Sequence, residues 1–157
     1  MATLLLLLVS ALAAFDGIYF HFLKGKLHAT RGSRQEHWLH VALGLGFWGT
    51  VYCWYWRPVP GWGVFFLILQ WVTFTVDMVT ERWTRRPQGG LPDAEKILHV
   101  SVYGTLLLSN ALAVRAGPAS TPGSRFGIEL LLWGAAIFMI WQLALIVWKS
   151  TKVSAEC

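Results

Sequence analysis

The stretch GVFFLILQWVTFTVDMVTE, residues 63–81, decides how this chain is read. Its side chains are almost continuously apolar until two carboxylates, Asp77 and Glu81, close it. A helix of about 20 apolar residues crosses a hydrocarbon core. Residues four apart lie one turn from each other, so the two acids share a helix face. A carboxylate inside a span costs free energy unless it is paired, protonated or bound to a cation, and intramembrane acids are functional by default. The stretch therefore predicts both a spanning helix and chemistry at its end.

Four more such runs flank this one. The expected spans are Ala2 to His21, His37 to Trp56, Gly63 to Glu81, Ile97 to Ala116 and Phe126 to Trp148. No β-barrel alternation is visible, and a backbone in lipid must satisfy its own hydrogen bonds, so these are helices. The predicted fold is an all-α integral membrane protein forming one transmembrane domain over residues 1–157. Helices 1–4 make a bundle of two pseudo-repeated hairpins, and the fifth is an addition.

Composition agrees. Hydrophobic residues are 55% of the chain and charged residues 13%, against about a quarter charged in soluble domains. The net charge of +5 does not indicate nucleic acid, because the basic residues sit in short loops between apolar runs, where they orient helices and meet anionic headgroups. The two cysteines, Cys53 and Cys157, form no metal-binding spacing and give no case for a disulfide. The leucine run before Ser10-Ala-Leu-Ala-Ala14 has the small residues of a signal-peptide cleavage site but lacks the basic region before it. An uncleaved first helix is expected.

The loops set the orientation. Lys24, Lys26, Arg31, Arg34, Arg82, Arg85, Arg86, Lys96, Lys149 and Lys152 fall on one side; Arg57, Arg115 and Arg125 fall on the other. This places the amino terminus outside and the carboxyl terminus in the cytoplasm of a bacterial-type inner or plasma membrane. Trp54, Trp56 and Trp62 mark the outer interface.

A second asymmetry needs its own cause. All five histidines and every acid except Glu129 map to the cytoplasmic side. The pattern repeats: Asp16 precedes Glu36-His-Trp-Leu-His40, and Asp77 precedes Glu95-Lys-Ile-Leu-His99. Each Glu and His share a helix face. Carboxylates and imidazoles from four helices at one depth are the makings of a bundle metal site, chemically analogous to carboxylate-bridged di-metal bundles, whose Glu-x-x-His spacing is one residue shorter.

The expected metal ligands are Asp16, Glu36, His40, Asp77, Glu95 and His99, with Glu81 and His21 as catalytic or supporting groups. Mixed oxygen and nitrogen donors suit iron, manganese or zinc. Haem held by His40 and His99 is disfavoured by the adjoining acids. Lys24, Lys26, Arg31, Arg34, Arg85 and Arg86 are expected to bind an anionic headgroup, so membrane lipids are the expected partners.

Simpler roles compete residue by residue. Ser33 to Glu36 is a capping-box pattern, Glu95 follows Pro92 in a first helical turn, and Asp77 and Glu81 have Arg82, Arg85 and Arg86 nearby. None of these roles explains the repetition. The expected function is a metal-dependent membrane enzyme that oxidises or hydrolyses a lipid or quinone-like substrate. The alternatives are a proton or metal-ion transporter, and a non-catalytic subunit or assembly factor of a membrane complex.

Overall fold

The computed structural model describes residues 2–24, 34–84, 90, 92–116 and 122–155. These residues form five α-helices and no strand. Helix α1 (Ala2–Phe15) continues into a π-helical stretch, Asp16–Lys24. Helix α2 (Arg34–Val51) ends in a shorter π-helical stretch, Tyr52–Trp56. Helices α3 (Pro60–Thr84), α4 (Asp93–Ala116) and α5 (Pro122–Ala155) complete the chain.

Local chemistry accounts for the boundaries. Helices α3 and α5 open on proline, whose fixed φ and missing N–H suit a first turn. Before α4, Gly90 takes φ +87°, a left-handed conformation favourable only to glycine. At the start of α4, Pro92 accepts from the Glu95 amide at 3.0 Å. Asp93 pairs with Lys96 at 2.8 Å at the exposed surface. The hydrogen bond from Lys96, and then its charge, hold the Asp93 carboxyl below the usual range. Asp93 thus fills the helix-start role and leaves Glu95, one helical turn before His99, inside the bundle.

Among the described residues, three stretches are long and apolar enough to cross a membrane: Thr3–Phe20, Pro60–Glu81 and Gly123–Trp148. They coincide with the first, third and fifth expected spans. Helices α2 and α4 carry the Glu-x-x-x-His turns, and those polar residues make them less apolar.

Helix α2 packs against α3 and α5, and α1 packs chiefly against α4. Two glycines let α3 approach α2. A Cβ on Gly46 would meet the Gln70 backbone at 2.9 Å, and one on Gly49 would run into the Phe66 ring. Small residues at such contacts allow backbones to pack closely. With His40 opposite Asp77, these contacts give α2 and α3 an antiparallel register. Gly44 against Met139 and His37 against Gln142 do the same for α2 and α5.

The distribution of polarity is inverted relative to a soluble protein. Ile68, Trp133, Ile137 and Val147 are all more than half exposed, while Glu36, Gln70, Asp77, Glu81, Glu95, His99 and Gln142 are buried. Soluble proteins almost never bury several carboxylates while exposing large apolar residues throughout. The apolar core, Leu6, Val51, Tyr55, Ile128 and Leu131, fills the end of the bundle away from these acids.

Candidate metal centre

The site is built at the end where α1 finishes and α4 begins. Wider winding in α1 begins at Asp16, the residue carrying the carboxylate. Such π-helical departures are frequent at functional sites. From α4, Glu95 and His99 stand one turn apart on the face turned to α1. His99 Nε2–H donates to Asp16 Oδ2 at 3.0 Å, across 83 residues of sequence. Asp16, Glu95 and His99 each offer a ligand atom, and these atoms lie within 4.8 Å of one another. Glu95 is 1% exposed and His99 6%.

Helix α3 adds the other side of the imidazole. His99 Nδ1 lies 3.3 Å from Glu81 Oε2, an ion-pair distance rather than an aligned hydrogen bond. A divalent cation in place of the proton between His99 Nε2 and Asp16 would leave Nδ1–H facing Glu81. That is the carboxylate–histidine–metal arrangement that fixes the tautomer and orientation of a ligating imidazole. Three carboxylates gathered on one imidazole at this burial need protons or cations to hold them.

The second Glu-x-x-x-His turn is arranged more loosely. His40 Nε2 lies 3.7 Å from Asp77 Oδ2, too far for a direct hydrogen bond. The Asp77 side chain is 8% exposed, and its Oδ1 is buried with no hydrogen-bond partner among the described residues. Glu36 is buried too, but it joins no close triad of ligand atoms with His40 and Asp77. The structure thus brings Asp16, Glu95, His99 and Glu81 into one cluster and pairs His40 with Asp77 beside it. The side chains of His21, Lys24 and Arg34, and the residues Lys26, Arg31, Arg85 and Arg86, lie outside the described residues.

Three features were not anticipated from sequence. Tyr103 stands one turn beyond His99 on α4, and its ring stacks on Phe74 of α3. Its signal was its spacing: it follows His99 by four residues, on the same face. His37 donates from Nδ1 to Gln142 Oε1 at 2.6 Å, tying the start of α2 to α5. Buried Gln70 and Thr73 continue the polar face of Asp77 and Glu81 along α3, and buried Ser109 and Asn110 lie farther along α4. Comparison with known proteins gives no match to a family model, to a curated protein or to a solved structure.

Proposed function

We propose that this chain is a multi-pass membrane protein with all five helices crossing the bilayer, and that it is a metal-dependent enzyme whose site opens near the cytoplasmic face. Two observations support the membrane setting: large apolar side chains cover the exterior, and three helices are long and apolar enough to span. The distribution of Lys and Arg supports an external amino terminus and a cytoplasmic carboxyl terminus.

The observation that carries the metal reading is the convergence of the ligand atoms of Asp16, Glu95 and His99 from two helices to within 4.8 Å of one another, with Glu95 and His99 buried and Asp16 partly so. In this reading those three residues are the ligands and Glu81 positions His99 through Nδ1. Two carboxylates and one imidazole suit manganese, iron or zinc. Such a centre supplies Lewis acidity and an activated water or, with iron, oxidation, hydroxylation or desaturation. A site at this depth, behind an apolar exterior, selects substrates already dissolved in the membrane, of a lipid or quinone-like class. Metal analysis of the purified protein tests the reading. Wild type should hold a stoichiometric divalent ion and His99→Ala should not; a blank analysis for wild type overturns it.

One observation favours transport as a second reading. Gln70, Thr73, Asp77 and Glu81 form a buried polar stripe along α3, about 16 Å long at 1.5 Å per residue. A transporter would lead ions or protons along it. Flux of protons or divalent metal into proteoliposomes, abolished in Gln70→Leu, would favour transport over catalysis.

A further inference from the structure

The two acid–imidazole pairs are joined across the halves of the chain. Asp16 on α1 meets His99 on α4, and Asp77 on α3 meets His40 on α2. Exchanging the hairpin α1–α2 for the hairpin α3–α4 turns one pair into the other. This is the reciprocal relation of a two-fold interface, in which residue i meets j and j's counterpart meets i's, folded into a single chain. Among the first four helices the packing follows the same plan, since the close contacts are α1 with α4 and α2 with α3, while α5 adds its own contact to α2.

The geometry points to a second divalent-cation position on the His40 side of the bundle, held by His40 and Asp77; Glu36, which forms no close triad with them in this structure, would complete the donor set when an ion binds. This inference rests on the metal reading of Asp16, Glu95 and His99. Glu36 stands four residues before His40, as Glu95 stands before His99, so both turns present Glu and His on one face. Asp77 is 6% exposed, and its Oδ1 is buried with no hydrogen-bond partner among the described residues. The 3.7 Å gap between His40 Nε2 and Asp77 Oδ2 is too long for a hydrogen bond but close to the ligand-to-ligand edge around one ion with bonds of about 2.0 to 2.2 Å. The two positions share one interior, because Glu81, which faces His99, and Asp77, which faces His40, stand one turn apart on α3.

The two halves are not equal. Glu81, which backs His99, corresponds to Phe20 when Asp77 is matched to Asp16, and Phe20 is a buried apolar residue. The His40 position therefore lacks the matching outer carboxylate. Loss of such a partner weakens a metal site about 10- to 100-fold, so the His40 position is the weaker of the two.

The test is a Mn²⁺ titration of the purified, chelator-stripped full chain in detergent, with free Mn²⁺ read by electron paramagnetic resonance. Wild type should bind two ions per chain, the second about 10- to 100-fold more weakly. His99→Ala should lose the tight ion and keep the weak one. His40→Ala, and the nearly isosteric Asp77→Asn that guards against misfolding, should do the reverse. One ion per chain, untouched by His40→Ala and Asp77→Asn, overturns the second position and leaves the first standing. One ion lost equally in His40→Ala and His99→Ala also overturns it, since the halves would then share a single ion. No binding by wild type overturns both readings.

Discussion

Glu81 offers the sharpest test of the proposed centre, because it would act on a bound metal only through His99. Its Oε2 lies 3.3 Å from His99 Nδ1 and its side chain is 2% exposed. Glu81→Ala removes both the charge and the acceptor that face the imidazole. From comparable outer partners, affinity should fall about 10- to 100-fold, which is about 1.4 to 2.8 kcal/mol of binding free energy. Glu81→Gln keeps an acceptor for Nδ1–H and loses only the charge, so its loss should be smaller. The assay is competition for Zn²⁺ against a chromophoric chelator, run beside a thermal melt of each metal-free variant. A purely structural role gives a different pattern: Glu81→Ala would lower the melting temperature by stranding a buried N–H, worth about 1 to 3 kcal/mol, without changing Zn²⁺ affinity. Affinity within twofold of wild type in Glu81→Ala would refute the assignment.

Three further outcomes are expected. A reporter at the amino terminus should read outside and one at the carboxyl terminus cytoplasmic; two cytoplasmic termini would contradict the proposed orientation. Chelation should lower the melting temperature of wild type in detergent. Asp16→Asn should reduce that response while raising the stability of the metal-free protein, since it removes one of the crowded carboxylates; indifference to chelator would count against any resident metal. Gly46→Val should destabilise the bundle by about 1 to 3 kcal/mol, because the Gln70 backbone at 2.9 Å from the first added carbon cannot rotate away. An unchanged melting temperature would mean that α2 and α3 do not pack in this register.

Much of the architecture was legible because it is local. The apolar run closing at Glu81 marks α3 to the start of its last turn, and the first expected span opens with α1 at Ala2, whereas α5 runs on past the expected close at Trp148 to Ala155. The four-residue spacing of Glu95 and His99 places them on one face wherever the helix goes, and they do meet. Gly44, Gly46 and Gly49 each abut a neighbouring helix. The partner of each acid was not legible. Asp16 meeting His99, and Asp77 meeting His40, depends on which helices lie side by side, and no spacing within a helix encodes that. The same holds for Glu81, which reaches His99 only because α3 and α4 converge there. Tyr103 was within reach, since it continues the face of Glu95 and His99 by one more turn.

The span of chain between Asp16 and its imidazole has a consequence for biogenesis. Their hydrogen bond joins residues 83 apart. At about 5 to 20 residues per second of synthesis, the carboxylate waits on the order of 4 to 17 seconds for His99 to emerge. During that interval, in the proposed membrane setting, the first helix carries its acid without its eventual partner and lies near the end of its apolar stretch. A protonated side chain, a shallower depth or a passing chaperone must bridge the delay. Slowing translation between the two hairpins should then cost yield of inserted protein, and Asp16→Asn should restore it.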